Sequence, residues 1–217
     1  MHTNPTLRHP EPTDSQLRAA IADTLLLAHF AGRMGWVPAT SGNFSVRLDD
    51  NRCAITASGG FKGEITSEQV MIVDIGELGD PHSSGCSAEA ALHLQLYRDL
   101  PEIGAVAHVH SHTSTIMSHL YEGRGYLDLE GWELLKAFRG IETHETRARV
   151  PVFGNDQQVD RLAKLVHEQF LTYPGIPGYL IAGHGLYAWG EDAAETRRHL
   201  EAFDALLQLQ LEEGRHR

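Results

Sequence analysis

The sequence has few cysteines and no long apolar run, and each of these features excludes a class of protein. Its 217 residues include only Cys53 and Cys86, too few and too far apart for a disulfide scaffold or a cysteine-based zinc site. No stretch approaches the ~18 apolar residues that a membrane span requires, and residues 1–14 lack the apolar core of a signal peptide. We therefore expect a cytoplasmic protein that does not bind membranes.

Positive charge is also scarce. The chain has 18 Lys and Arg residues against 29 Asp and Glu residues, which gives a net charge of -11. Because a negative field repels phosphate backbones, we do not expect a nucleic acid as partner. The hydrophobic fraction of 41% and the charged fraction of 22% are ordinary for a globular protein, and no repeat or long linker divides the chain. We expect one domain over residues 1–217, with a polar lead at residues 1–13.

Hydrophobic patterns predict a mixture of helices and strands. A capping-box pattern at Thr13–Gln16 precedes apolar residues at helical spacing and predicts a helix that ends near Gly32. Alternating and apolar residues around an Asp-Asp-Asn turn predict a hairpin at residues 44–56. An apolar run predicts a buried strand at residues 104–109, and a further helix is predicted at residues 130–138. This mixture favours an α/β or α+β fold.

Histidine, in contrast, is abundant, with 14 residues. His108 and His110 stand at positions i and i+2 of a predicted strand, so both imidazoles face one side and could bind one divalent metal. His184 is the best third ligand, because Gly183 and Gly185 allow its backbone to turn sharply and approach a ligand closely. On its own, the His-x-His pair is equally compatible with ordinary polar residues at a strand end. We expect surface, structural or merely neighbouring positions for four others: His93, His112, His144 and His199.

Three turns and two carboxylates complete the candidate chemistry. Residues 40–43, 56–60 and 83–87 offer the backbone N–H groups and hydroxyls that suit a phosphate, although each alone is explained more simply as a plain turn. None has Walker or Rossmann spacing. Glu89 and Glu133 lie within apolar segments, where a nearby metal could shift a carboxyl pKa toward an acid/base role. The simpler interpretation is that each complements a helix dipole.

Five motifs together resemble the class II aldolase and adducin-head family in both residues and order. They span nearly the whole chain, from about residue 17 to residue 207, and lie at residues 40–47, 55–59, 87–89, 107–111 and 184–185. The resemblance implies an α/β fold that is a three-layer α/β/α sandwich around a mainly antiparallel sheet, and a homotetramer. It also implies one divalent metal, for which nitrogen ligands favour Zn²⁺ over Mg²⁺. The implied metal ligands are His108, His110 and His184, and a sugar phosphate would be held by Asn43, Ser58, Gly59 and Ser87.

Within this family, residues 184–190 and Glu133 resemble the members that remove water from a phosphorylated ketose. That resemblance implies an acid/base role for Glu133. Glu89 stands where the aldolases of the family carry a catalytic glutamate, whereas animal dehydratases carry a cysteine there. A class II sugar-phosphate aldolase or a ribulose-phosphate 4-epimerase is therefore the main alternative. A non-catalytic adducin-like module is a further alternative, but it predicts that the three histidines would be lost.

Overall fold

One eight-stranded sheet organises the fold. The structure is a computed structural model and describes residues 11–76, 85–170, 173 and 175–215. In the sheet order β3-β2-β1-β4-β8-β7-β6-β5, strands β6 and β7 are parallel and the other neighbouring strands are antiparallel. The prediction of a mainly antiparallel sheet is therefore confirmed. The strands are β1 (Asn43–Arg47), β2 (Arg52–Thr56), β3 (Val70–Asp74), β4 (Ala105–Val109), β5 (Tyr126–Leu129), β6 (Ala148–Phe153), β7 (Gly178–Ile181) and β8 (Gly185–Gly190).

Helices cover both faces of the sheet, which confirms the three-layer α/β/α arrangement. The helices are α1 (Asp14–Arg33), α2 (Ala90–Asp99), α3 (His112–Tyr121), α4 (Val159–Phe170) and α5 (Ala193–Arg215). Helices α1, α3 and α5 pack on one face, and α2 and α4 pack on the other. Among the helices of the described ranges, none has both the length and the apolarity of a membrane span.

The alternation of side chains along β4 divides the core into two layers. Ala107 and Val109 pack on the face covered by α1, α3 and α5, whereas Val106 packs on the face of α2 and α4. His108 lies on the same face of β4 as Val106, two residues earlier. Its ring stacks on Tyr187 with ring centroids 4.1 Å apart. His110 follows the end of the strand, and its ring lies on the same side, with its centroid 4.6 Å from that of His108. The sequence prediction that both imidazoles share a face is confirmed.

Of two local predictions from the sequence, the capping box is confirmed and a helix is not. The capping box at the start of α1 is confirmed, because the Thr13 hydroxyl accepts from the Gln16 N–H and the Gln16 side chain accepts from the Thr13 N–H. The helix predicted at residues 130–138 is wrong. That segment follows strand β5 and contains only a short 3-10 turn, Glu133–Ala137. Positive φ angles of 80° at Gly131 and 81° at Gly140 close the segment at both ends, and this leaves no room for a longer helix.

Candidate active site

Three imidazoles and one carboxylate converge at the end of the sheet where the central strand β4 ends. His108 lies at the end of β4, His110 follows that strand, and His184 immediately precedes β8. Nε2 of His108 is 2.8 Å from Nε2 of His110 and 3.3 Å from Nε2 of His184. Oε1 of Glu89 is 2.9 Å from Nε2 of His184. One potential ligand atom from each of the four side chains lies within 4.8 Å of the others.

The donor set and its geometry fit a divalent metal. Nδ1–H of His108 donates to the carbonyl of Leu186 at 3.0 Å, so its Nε2 presents a lone pair toward the other two rings. Two nitrogen ligands with bonds of about 2.0–2.1 Å lie about 3.3 Å apart in a tetrahedral site. His108 and His184 have this separation. Burial lowers the pKa of His108, and it lowers the pKa of His110 to about 4, so both rings are neutral, as metal binding requires.

The glycines on either side of His184 explain how it reaches the cluster. Gly183 has a φ of 62°, in the left-handed region that favours glycine. A Cβ on Gly185 would lie 2.2 Å from the carbonyl oxygen of Val109, so only glycine permits this close approach of β8 to β4. The structure therefore supports the role predicted for both glycines.

A hydrogen-bonded chain of five buried or partly buried side chains ends on Glu89. Tyr97 contacts Ser45 (2.9 Å), Ser45 contacts His93 (2.7 Å), His93 contacts the Asn43 oxygen (2.5 Å), and the Asn43 amide donates to Glu89 (2.5 Å). Burial lowers the pKa of His93 to about 3, so its ring is neutral and carries a single N–H. Because ionised Glu89 can only accept, Asn43 donates to it and His93 must donate to Asn43. Every donor in the chain thus points toward Glu89.

The ionised state of Glu89 follows from its neighbours. Burial raises its pKa, but the electrostatic interaction with His108, which is strongest when that ring holds a proton, and the hydrogen bond with His184 lower it by more, so the pKa lies below the usual range. Asn43 adds a donor that also favours the carboxylate. A carboxylate in this position can bind a metal or accept a proton from a substrate.

A cavity of about 580 Å³ lies beside the cluster and is lined by Glu89, His110 and His184. Two of the predicted phosphate turns meet at its wall, because Ala57 pairs with Cys86 in a short bridge. Ser58, Gly59 and Ser87, three of the four residues predicted to hold a phosphate, line the cavity. Residues 83 and 84 of the third turn lie outside the described residues. The other lining residues are Thr40, Ser41, Gly42, Ala57, Lys62, Cys86, Ala88, Leu92, Asn155, Asp156, Gln157, Val159 and Leu162.

Comparison with known proteins places this architecture in a family. Residues 22–211 match the Class II Aldolase and Adducin N-terminal domain. The chain belongs to this family. Among its curated relatives is the methylthioribulose-1-phosphate dehydratase of Parvibaculum lavamentivorans, 50% identical over 194 residues, with 89% of this chain and 94% of the relative covered. The protein of the same name from Xanthomonas euvesicatoria pv. vesicatoria is 53% identical over 192 residues, with coverage of 88% and 86%.

Solved structures of the class II aldolase family have the same fold. The L-fuculose-1-phosphate aldolase from Thermus thermophilus superposes with a TM-score of 0.71 at 23% identity and covers 93% of this chain and 96% of its own. The sugar-phosphate aldolase from Thermotoga maritima superposes with a TM-score of 0.67 at 18% identity, with coverage of 90% and 95%. At these identities the similarity establishes the class II aldolase fold.

Within this class II aldolase fold, the histidines lie where β4 ends, whereas Glu133 lies at the opposite end of the strands. Strand β5 runs antiparallel to β4, because three of the four pairings between them reverse direction. The turn after β5 therefore lies at the end of the sheet where β4 begins. The Glu133 carboxylate is exposed and pairs with Lys136 (2.5 Å) and His144 (3.3 Å), and the bond with Lys136 lowers its pKa. Within a single chain, Glu89 lies beside the three histidines and Glu133 does not.

Two further residues have positions that the sequence patterns did not indicate. Asn43 is predicted from the sequence to hold the phosphate, but it is buried behind Glu89 and is not among the residues that line the cavity. Its side-chain amide contacts Glu89 and His93 instead. Lys62 lines the cavity and is only 2% exposed. The available signal was its place three residues after Gly59, as a lone cation in a glycine-rich turn of an acidic protein.

Proposed function

We propose that this chain is a methylthioribulose-1-phosphate dehydratase of methionine salvage. The enzyme would convert 5-methylthioribulose 1-phosphate to 2,3-diketo-5-methylthiopentyl 1-phosphate and water. Relatives of that name are 50% and 53% identical over most of the chain, which supports the substrate. The structural observation that carries the proposal is the convergence of Glu89 with three histidines beside a cavity that also contains the phosphate-type turns.

One divalent cation per subunit, with Zn²⁺ as the first choice, would be held by His108, His110 and His184. When bound, a divalent cation supplies Lewis-acid polarisation of a substrate carbonyl. The phosphate would be held by Ser58, Gly59 and Ser87, whose backbone N–H groups and hydroxyls can surround an anion, with Asn43 supporting the site from behind.

The protein side chains would move two protons. C3 of the substrate lies next to the C2 ketone and carries an acidified proton, which the Glu89 carboxylate would accept. Glu133 would deliver a proton to the C4 hydroxyl, which then leaves as water. The resulting enol takes up a proton at C4 and releases the proton of its C3 hydroxyl, which gives the 2,3-diketone, so the reaction requires no redox cofactor.

The placement of Glu133 supports an oligomer with shared sites, and we propose the homotetramer that the family resemblance implies. Since Glu133 cannot reach the histidines of its own chain across the sheet, it would act on the site of a second copy. Closed symmetry would give each subunit one donated and one received Glu133. We also propose a cytoplasmic location, which is consistent with Cys53 and Cys86 being free thiols.

Product analysis of the purified, metal-loaded protein tests the function. Incubation with 5-methylthioribulose 1-phosphate should give one phosphorylated product that has lost a single water. Fuculose 1-phosphate and ribulose 5-phosphate should react far more slowly. A triose or glycolaldehyde fragment would instead establish class II aldolase chemistry, the second candidate, which the position of Glu89 favours.

Replacing Ser87 with Asp should test the phosphate site. The Ser87 hydroxyl accepts from the Glu89 N–H at 3.3 Å, and an aspartate can keep this contact while adding negative charge at the cavity wall. Repulsion of the substrate phosphate should raise KM by at least ~10-fold with a smaller effect on kcat. The exposed Ser67→Asp variant adds the same charge away from the cavity and is the matched control. Equal KM values in both variants would place the phosphate elsewhere.

A further inference from the structure

Lys62 is a buried cation in an unusual position. Its ammonium group donates to the carbonyl of Thr40 at 3.1 Å and to the carbonyl of Gly60 at 2.9 Å. Thr40 has a φ of 67°, a left-handed conformation that is uncommon for a residue with a side chain. An ammonium has three N–H donors, so these two carbonyls leave one donor for the cavity that Lys62 lines.

The turn that carries Lys62 is firmly attached to helix α1. The carbonyl of Ile65 contacts the ring of His29 at 2.8 Å. A Cβ on Gly32 would lie 2.3 Å from Cα of Gly63, so the turn and the end of α1 are in direct backbone contact. The ammonium group is therefore held in place before any ligand arrives, and this limits the entropy that binding must remove.

No carboxylate lies within ion-pair distance of Lys62 in the part of the chain that the structure describes. Burying a cation without a counter-ion is costly. Lys62 is also the only Lys or Arg among the described residues that line the cavity, in a protein with a net charge of -11. Burial lowers its pKa while Glu89 raises it, and an arriving anion would favour the charged form further.

We propose that Lys62 is the cationic ligand of the substrate phosphate and supplies the charge that the neutral Ser58, Gly59 and Ser87 turns lack. The inference rests on the proposed function for the identity of the phosphate ester. It does not rest on that function for the anion site itself, because inorganic phosphate is a sufficient probe.

Substitution of Lys62 by Met, which keeps the length and removes the charge, should raise KM for 5-methylthioribulose 1-phosphate by about 10- to 100-fold. The inhibition constant of inorganic phosphate should rise in parallel, whereas kcat should change less than about threefold. Lys164→Met removes the same charge from an exposed position on α4 and is the control. A lower melting temperature with unchanged KM and inhibition constant would mean that Lys62 only supports Thr40, and would overturn the proposal.

The wild-type protein allows a second measurement that does not depend on a variant that folds. The chain has only three lysines, at positions 62, 136 and 164, so lysine labelled with ¹³C at Cε gives three resonances. Titration with inorganic phosphate should shift the Lys62 resonance and leave the other two unchanged. The same shift in His110→Ala would place the anion on Lys62 independently of a bound metal.

These measurements separate the two proposals. A Lys62 shift in a protein that does not dehydrate the substrate would support the anion site and overturn the proposed function. Dehydratase activity without a Lys62 shift, and with normal KM in Lys62→Met, would leave the function intact and overturn the role of Lys62.

Discussion

Replacing His110 with Ala should remove most of the bound metal and lower kcat by at least ~100-fold, because two imidazoles remain where three are needed. Metal content per subunit, measured by elemental analysis, is the primary readout, and activity after addition of excess metal is the second. The loss should not be structural, since His110 lies beyond the end of β4 and is not part of the packed core.

The control is His112→Ala, which removes an exposed imidazole two residues further along the chain. It should keep both metal and activity. Full metal occupancy in His110→Ala would show that His110 is not a ligand, and would require a different set of residues.

Glu133→Gln should retain metal and substrate binding while lowering kcat by about 10²–10⁴-fold, the usual contribution of general acid/base catalysis. The amide keeps the shape of the carboxylate but cannot transfer its proton. Glu130→Gln, a nearby exposed carboxylate that pairs with Arg147, is the matched control and should leave kcat near normal.

A mixing experiment tests whether Glu133 acts on a second copy. His110→Ala and Glu133→Gln subunits, each inactive alone, should regain activity when they are dissociated together and reassembled. With random assembly, about a quarter of the shared sites receive an intact histidine set from one subunit and an intact Glu133 from another. No recovery in confirmed mixed oligomers would contradict a shared site. If Glu133→Gln has normal kcat and Glu89→Gln is inactive, the acid/base role belongs to Glu89.

The parts of the site that lie close together in the chain could be predicted from the sequence. The two-residue period of a strand is enough to place His108 and His110 on one face, and glycine chemistry indicates the position of His184. The alternation that predicts β1 and β2 likewise needs only neighbouring residues. These predictions succeed because local backbone geometry decides them.

Features that depend on the order and direction of strands could not be predicted from local patterns. Glu133 lies at the end of the strands opposite the histidines because of the pairings among β4, β8, β7, β6 and β5. No sequence periodicity encodes these pairings. Lys62 is buried because its turn contacts the end of α1, more than 25 residues earlier in the sequence. His93 lies in an ordinary helical pattern, and its contact with Asn43 becomes visible only when α2 packs on β1.

The hydrogen-bonded chain from Tyr97 to Glu89 has a consequence for evolution. Because its donors all point the same way, replacing one buried member leaves its neighbour without a partner, at a cost of about 1–3 kcal/mol. A change of Glu89 to cysteine would remove the carboxylate that accepts from the Asn43 amide. Positions 43, 45, 89, 93 and 97 are therefore expected to covary among relatives. A lineage in which a thiol replaces the carboxylate should also carry substitutions at the residues packed behind it.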